Sequence, residues 1–443
     1  MLNPNAIRIF SVIAFAVLFL MGIKRPVYAV GAYMVLVYCK LSNYYPVFEA
    51  MKSELVFALI ILLRLAVTPQ FTKYVSIKND SLNKYLLYFV LCVCLSFAIA
   101  WDHQYSWDHA VYLFIKVLIL YVMIMAAVES VQDLKIFTFI FMAMMAYLAY
   151  EPFYHFIRGT GGSQHLYGTN YIAQIGLLAG HVALANNMNQ MIPIAFFLMF
   201  STTNKISKLI YTGFLAVFTI ALVGSGSRGG VVGFLFFIFV IMVISWKNNK
   251  KIVYIALTIA VIFVISSTAF LHTISRVSSD SAEGRFIGLT HGIGMLMKGN
   301  LIGVGPGCYL LARRRYFSFY MESHNIYGQI LGDLGIPGTI AWLFFMRQIF
   351  RNLLPMVKKK AIGEAQGEKY LKYLATGLLA SLAVRLFISM GSHGLYFFYW
   401  YVIAAMSSKV VLLTQSQNIG TPPRNGDHTQ YPSQAIPKKA GYR

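Results

Sequence analysis

Charged side chains are scarce in this sequence. Only 12% of its 443 residues are Asp, Glu, Lys or Arg, and 58% are hydrophobic, whereas about 25% of the residues in a soluble domain are charged. Acidic residues are the scarcer kind, with 15 against 37 basic ones. This composition excludes an ordinary soluble domain.

Cysteine is also rare, and its placement defines no site. Cys39, Cys92 and Cys94 lie in apolar runs, Cys308 stands alone, and the chain has no CxxC pair. A disulfide framework or a cysteine metal site needs several cysteines at suitable spacings. The sequence therefore predicts neither.

Long apolar runs are what the sequence has instead. They reach the ~17–25 residues that a helix needs to cross a bilayer, and they lack the alternation of a transmembrane barrel. We predict an all-α polytopic membrane protein with about 12–13 transmembrane helices and one large extracytoplasmic loop. The predicted spans are 7–23, 26–41, 54–72, 82–100, 109–128, 133–150, 170–203, 206–223, 229–246, 252–271, 326–354, 371–390 and 394–413.

The net charge of +22 has a topological explanation. Most Lys and Arg residues lie in short breaks between apolar runs, where the positive-inside rule places them in the cytoplasm. The charge therefore does not indicate nucleic-acid binding.

With these breaks in the cytoplasm, the stretch 170–203 has to cross the membrane once. It is too long for one helix and contains Gly176, Gly180, three asparagines and Pro193, which predicts a broken or re-entrant segment.

The most polar internal stretch is 272–325. It carries six basic and three acidic residues, so its net charge is about +3, and the alternation of helices places it on the extracytoplasmic side. We predict that residues 1–415 form one transmembrane domain with 272–325 as its functional loop. Residues 416–443 are hydrophilic without an apolar period, which predicts a disordered cytoplasmic tail.

Basic residues on the extracytoplasmic side need a local reason, because the positive-inside bias disfavours them. An anionic ligand is one such reason for Arg228, since Arg presents a planar charged fork to phosphate oxygens and the GSRGG turn exposes helix amides. Snorkelling or contact with lipid headgroups is the alternative. For Arg313, Arg314 and Arg315, steering of an anionic substrate and a solvated charge cluster remain equal alternatives.

Three motifs, in this order, resemble those of the bacterial O-antigen ligase and polymerase superfamily. They are SRGG at 227–230, GRFIGLTHGIGMLMKGNLIGVGPG at 284–307 and SHNIYGQILGDLGIPG at 323–338. Members of that family have an SRG motif at a helix start, an Arg upstream of a G-x-G-x-G turn, and an HN pair that opens the helix after a large extracytoplasmic loop. The resemblance covers 200–413, whereas the first 200 residues match only as hydrophobic helices.

The resemblance implies a GT-C-like glycosyltransferase of the bacterial inner membrane, multi-pass, with its active site facing the periplasm. Its donor would be an undecaprenyl-diphosphate-linked glycan, its acceptor a glycan, a lipid A core or a protein, and its surroundings membrane lipids. By motif, Arg228 and Arg285 correspond to the arginines that hold the donor pyrophosphate, and His324 to the loop histidine near the acceptor. We predict these three as catalytic. The predicted substrate-binding residues are Arg228, Arg285, Arg313, Arg314, Arg315, Asn325 and Gly305.

The chemistry of these residue types leads to the same expectation. Fixed arginines neutralise the charge that develops on a diphosphate leaving group without a metal, and the chain has no DxD pair of the kind that binds a divalent ion. We therefore predict no metal and no cofactor. His324 is predicted to act as general base or hydrogen-bond partner of the acceptor hydroxyl, with helix capping as the structural alternative. For Gly305 the alternative is a tight structural turn.

Two sets of alternatives remain. Ligases, polysaccharide polymerases and protein O-glycosylation ligases share these motifs, and the motif series favours the ligase branch. A transporter of lipids or anions is the alternative from another class, and it predicts ionisable residues and paired broken helices at mid-membrane. The intramembrane ionisable residues are Arg64, Lys116 and Arg385, and no half-repeat is visible. This pattern favours the enzyme.

Overall fold

The structure is a computed structural model. It describes residues 4–43, 45–68, 80–158, 163–165, 168–170, 180–245, 250–266, 279–358 and 366–419. Within these ranges, the side chains of 4–8, 151–158, 163–165, 168–170, 181, 263–266, 279–285, 366 and 417–419 are not described.

Helices make up nearly all of the described chain. The first half contains α1 (Pro4–Lys24), α2 (Pro26–Tyr38), α3 (Pro46–Ala50), α4 (Ser53–Ala66), α5 (Ser81–Ala98), α6 (His103–Ser106), α7 (Tyr112–Ala127) and α8 (Val131–Arg158). The second half contains α9 (His181–Leu198), α10 (Lys205–Gly224), α11 (Arg228–Ser245), α12 (Lys250–Ser266), α13 (Ser279–Met297), α14 (Tyr309–Phe317), α15 (Ile326–Lys358), α16 (Gln366–Ile388) and α17 (Phe398–Ile419). Short 3-10 turns lie at Leu41–Asn43 and Ser389–Gly391, and a π-helical turn at Trp107–Val111 joins α6 to α7. The strands β1 (Ser163–His165) and β2 (Gly168–Asn170) pair antiparallel.

Polar residues start several of these helices. The Asp80 side chain accepts the N–H of Leu82 at 2.8 Å and begins α5. The Asn204 side chain likewise accepts the N–H groups of Ile206 and Ser207 and begins α10. These caps satisfy amides that have no partner within the helix. Both capping residues lie in the basic breaks between apolar runs, and the helices begin directly after them.

Each predicted span contains a helix, and the all-α polytopic membrane fold is confirmed. Among the described residues, seven helices are long and apolar enough to cross a membrane. They are Ser81–Ala98, His103–Ala127, Val131–Tyr150, Lys205–Gly224, Arg228–Ser245, Ile326–Lys358 and Gly367–Gly391. Shorter apolar helices occupy Ile9–Lys24 and Pro26–Tyr38.

The interruption of 170–203 predicted at the asparagines and Pro193 is wrong, whereas Gly180, with φ +104°, does lie outside the helix. Asn187, Asn189 and Pro193 all lie inside the continuous helix α9. Helices in membranes tolerate Pro because neighbouring groups satisfy the freed backbone. The side-chain Nδ2 groups of two asparagines donate within the bundle, that of Asn187 to the carbonyl of Ala183 at 2.8 Å and that of Asn189 to the carbonyl of Gly230 at 2.9 Å. Residues 171–179, including Gly176, lie outside the described chain.

Loop 272–325 is also more ordered than the sequence predicted. It contains the helices α13 and α14, and Phe286–Met297 is itself apolar. At the other end of the chain, α17 continues to Ile419 and so includes the first residues of the predicted tail, 416–443. The remainder of that tail lies outside the described residues.

Glycines let α13 and α15 pack with their backbones in contact. A Cβ at Gly292 would lie 2.5 Å from the carbonyl oxygen of Gly328, and one at Gly288 would overlap the carbonyl oxygen of Ser323. Small residues at this spacing on one helix are the usual means of close helix approach in membranes. The packing places α13 directly against the segment that carries the SHN motif.

Ion pairs neutralise two charges inside the bundle. Lys116 of α7 pairs with Glu54 of α4, and Arg25 pairs with Asp133 at 2.7 Å. Charges in the bilayer are costly unless they are paired. Lys116 therefore has a structural role in the ion pair with Glu54. It no longer counts as an unpaired intramembrane charge of the kind that a transporter would use.

Candidate functional site

The G-x-G-x-G turn folds around one buried carboxylate, Asp333 of α15. Its Oδ1 accepts the N–H of Tyr309 at 2.9 Å, and its Oδ2 accepts from the amide of Gln329 and the hydroxyl of Tyr396. Its backbone oxygen accepts from the hydroxyl of Ser96 at 2.6 Å. Asp333 therefore ties four segments together at one end of the bundle.

Gly305 lies at the centre of this turn and packs closely against Ala100 and Asp333. Its φ is +110°, and a Cβ there would lie 2.5 Å from the Cβ of Ala100. Its N–H donates to the carbonyl oxygen of Asp333 at 3.2 Å. Only glycine fits this conformation and this close approach. The geometry matches the structural-turn alternative for Gly305, and the next glycine, Gly307, also has a positive φ of +75°.

Arg313 is buried and bound internally, unlike its two neighbours. Its Nη1 donates to the carbonyl oxygens of Met321 and Glu322 at 2.9 and 2.7 Å, and its Nε donates to Nδ1 of His291 at 2.9 Å. Its guanidinium also lies 4.3 Å from the ring centre of Phe319. These contacts hold the chain just before the SHN motif in place.

Arg314 and Arg315 are exposed beside aromatic rings. Arg315 lies 5.2 Å from the ring centre of Trp101, and Arg314 lies 5.4 Å from that of Tyr320. We call this basic and aromatic surface the platform, and Lys298 extends it, 5.2 Å from the ring of Tyr316. The five side chains Trp101, Lys298, Arg314, Arg315 and Tyr320 define the platform.

Asn325 begins α15 and fixes it to the turn that follows α16. Its Oδ1 accepts the N–H groups of Tyr327 and Gly328 at 3.0 and 3.1 Å, so Asn325 is the helix cap. Its Nδ2 donates to the carbonyl oxygen of Met390 at 3.0 Å. Asn325 is 5% exposed. Its side chain is therefore engaged in holding the site together.

His324 is exposed and has a left-handed backbone with φ +46°. Its ring centre lies 5.2 Å from that of His393 in the turn after α16. Since Asn325 caps α15, capping does not account for His324. The two imidazoles form a pair at the surface end of the site.

His393 and Glu322 have shifted pKa values for physical reasons. Burial, followed by the neighbouring His324 and Arg385, lowers the pKa of His393 to about 4. Burial raises the pKa of Glu322, and His109 and Arg313 oppose that shift. His393 is therefore neutral at physiological pH, so it offers one donor and one acceptor nitrogen.

Arg228 is the first residue of α11, and α11 begins near the end of α16. The hydroxyl of Ser227 accepts the N–H of Gly230 at 3.2 Å, which caps the helix start. One turn further on, a Cβ at Gly233 would lie 2.5 Å from Cγ2 of Ile388. The SRG helix is thus packed against the end of α16, next to the turn that Asn325 contacts.

Of the predicted site residues, the structure brings Arg228, His324 and Asn325 to one end of the bundle around the turn after α16. Arg314 and Arg315 lie on the platform at the end of α14. Arg285 lies in α13, and its side chain is outside the described residues. Among the described residues, no group of three or more His, Cys, Asp or Glu is arranged to hold a metal ion.

Sequence analysis missed Asp333 and His393 near this site, and it noticed Arg385 only as an intramembrane charge without a role. Asp333 stands within an apolar helix, where an ionisable residue is costly and usually functional, so this signal was available for it as well. His393 lies in the short sequence GSHGLY between two spans. Nothing in the sequence pairs it with His324, because their contact depends on the packing of α15 against α16.

The fold defines a multi-pass α-helical membrane protein, and its polar end carries arginines and a histidine pair. Residues 213–343 match the sequence model of a family described as O-antigen ligase. This stretch includes the SRGG, G-x-G-x-G and SHN motifs, and the match confirms the resemblance of the chain to the O-antigen ligase and polymerase superfamily. The match supports glycan transfer of the O-antigen ligase and polymerase type in general. No curated protein matches the chain.

Proposed function

We propose that the protein transfers a glycan from an undecaprenyl-diphosphate-linked donor to an acceptor hydroxyl at the periplasmic face of the bacterial inner membrane. The observation that carries this proposal is that the SRG helix and the SHN motif both contact the end of α16 and the turn that follows it. Gly233 of the SRG helix packs against Ile388, the last residue of α16, and Asn325 of the SHN motif bonds to Met390 in the turn. Segments distant in sequence therefore come together at this end of α16.

In this proposal Arg228 and Arg285 bind the donor diphosphate. When the bond between the glycan anomeric carbon and the phosphate oxygen breaks, the electron pair remains on that oxygen. Guanidinium groups held in a protein site stabilise the resulting charge better than water molecules do, because they are already oriented before the bond breaks. The amides at the start of α11 add the positive end of a helix dipole.

His324 acts on the acceptor. The acceptor hydroxyl oxygen forms the new bond to the anomeric carbon, and its proton passes to the imidazole of His324. The imidazole is exposed, and histidine is the side chain that most often serves as a general base. The proton balance therefore closes without a cofactor.

The platform is the proposed acceptor surface. Trp101 and Tyr320 offer ring faces for stacking on sugars, while Arg314, Arg315 and Lys298 attract phosphate or carboxylate groups. A surface with both properties suits a charged saccharide, such as a phosphorylated lipid A core or an acidic glycan repeat. The platform supports a ligase-type reaction. Polymerase activity is the alternative, and the experiment below distinguishes the two.

Purified protein in proteoliposomes tests this proposal. With a radiolabelled lipid-linked glycan and an acceptor, we expect label on the acceptor without any ion gradient. Protein carrying Arg228→Lys is the control for non-enzymatic transfer. Label that crosses the bilayer but never leaves its lipid would instead establish a transporter. In a deletion strain, loss of all attached chains identifies a ligase, whereas attachment of single repeats identifies a polymerase.

A further inference from the structure

Arg385 is buried deep in the bundle with unsatisfied hydrogen-bond donors. It lies near the end of α16 and is 2% exposed. Its guanidinium stacks 3.4 Å from the ring centre of Tyr399. Its Nε and Nη1 are buried and donate to no described residue. A buried donor without a partner is costly, and it is more costly on a charged group.

Its charge is also uncompensated. Lys116 and Arg25 each form a salt bridge with a carboxylate. Among the described residues no salt bridge joins Arg385 to a carboxylate, and its electrostatic partner is the side chain of Tyr399. A water molecule satisfies donors but does not neutralise charge. An anion does both.

The neighbouring His393 supplies a third unsatisfied atom. Its Nδ1 is buried without a partner among the described residues, and its charge interactions include both His324 and Arg385. The ring centres of His324 and His393 lie 5.2 Å apart. Burial increases from the exposed His324 through the half-buried His393 to the buried Arg385.

The position of Arg385 fits the proposed donor site. Ile388, one turn after Arg385 on the same face of α16, packs against Gly233 of α11. Helix rise places Arg228 about 7.5 Å from Gly233 toward the helix start, and Arg385 about 4.5 Å from Ile388 in the opposite direction. Arg228 and Arg385 therefore lie on opposite sides of this contact along the helix axes, with Arg228 at the helix start and Arg385 deeper in the bundle.

We propose that Arg385 and His393 form a second anion-binding subsite, which takes a phosphate oxygen of the lipid-linked diphosphate below Arg228. This inference rests on the proposed function, and it adds residues outside the three motifs. The planar guanidinium, already oriented by Tyr399, offers two charged donors, Nε and Nη1, to the phosphate oxygens. The buried Nδ1 of His393 donates a further hydrogen bond to the same anion.

Binding to the full chain in phosphatidylcholine nanodiscs tests the subsite. The probe is a short-chain polyprenyl diphosphate, with the matching polyprenyl alcohol as uncharged control. We expect Arg385→Gln to raise the Kd for the diphosphate at least about tenfold, since it removes charge-assisted hydrogen bonds to the phosphate. Arg64→Gln is the matched control. Arg64 is another predicted intramembrane arginine, but it donates to the carbonyls of Gly22 and Ile23, so the Kd should not change.

A folded Arg385→Gln protein with the wild-type Kd would overturn the subsite. Thermal unfolding in the same nanodiscs establishes folding, and if the Gln variant does not fold, Arg385→Lys replaces it. The Lys variant keeps a charge but loses the planar guanidinium that stacks on Tyr399, so it should also bind more weakly, and a wild-type Kd for it would equally overturn the subsite.

A phospholipid headgroup carries the same phosphate chemistry. Suppose that phosphatidylglycerol raises the Tm of the wild type but not of Arg385→Gln, while both bind the diphosphate equally. That result would assign the anion to a headgroup and overturn our proposal. If the wild type does not bind the diphosphate at all, the proposed function fails instead. If Arg228→Lys weakens binding and Arg385→Gln does not, only the subsite fails.

Discussion

The carboxylate of Asp333 accepts the backbone N–H of Tyr309 at 2.9 Å, joining the start of α14 to the interior of α15. Asp333 is fully buried, and Gln329 and Tyr396 also donate to it. Asp333→Ala would leave these donors without a partner. We expect a loss of about 3 kcal/mol of stability, because each buried unsatisfied group costs ~1–3 kcal/mol. Thermal unfolding in detergent measures it.

Asp333→Asn is the matched control for that loss. It keeps one oxygen that can accept the N–H of Tyr309, so its destabilisation should be clearly smaller than that of Asp333→Ala. If the Ala variant unfolds at the wild-type temperature, Asp333 does not organise the turn.

Arg228 and Arg285 should not tolerate Lys. An ammonium does not reproduce the bidentate fork, and removing such a contact should cost about 2–4 kcal/mol in the transition state. Transfer activity of each membrane-inserted variant is the measurement, with Arg347→Lys as the control because Arg347 is exposed on α15. Near-full activity of either site variant would remove that arginine from the donor site.

His324 should affect turnover and not donor binding. We expect His324→Ala to lower transfer by about 10²–10⁴-fold, the range for loss of a general base, with an unchanged donor Kd. His324→Asn is the better-matched variant, because Asn tolerates the left-handed backbone at this position. A parallel fall in thermal stability and donor affinity would point to a structural role.

Single cysteines test the predicted sidedness. We replace the native Cys residues and place one Cys at Ser279 or at Asn249. The Ser279→Cys protein should react with a membrane-impermeant thiol reagent in intact spheroplasts, whereas Asn249→Cys should react only after permeabilisation. The opposite pattern would put the SHN motif on the cytoplasmic side and exclude a donor on the periplasmic face.

The sequence predicted the helices better than the contacts between them. Apolar length is a local property, so every predicted span contains a helix. The apparent interruption at Asn189 and Pro193 was misleading, because the amide of Asn189 is satisfied by Gly230 on another helix. Such compensation arises only from tertiary packing.

The candidate site was predictable to the extent that motifs carry it. Arg228, His324 and Asn325 were found by their motif context, but the capping of α15 by Asn325 was not expected. Arg385 was noticed as an intramembrane charge and assigned no role. Its missing partner becomes visible only when its donors and the nearest carboxylates are located in three dimensions.

The helix α15 is broken at Gly335, where the backbone has φ +62°. The amide of the next residue, Ile336, donates to the carbonyl oxygen of Leu301, and a Cβ at Gly335 would overlap that same oxygen. Asn325 and Asp333 lie in the short segment before the break. Any larger residue at Gly335 would therefore displace the chain that leads into the G-x-G-x-G turn, away from the helix that carries Asp333.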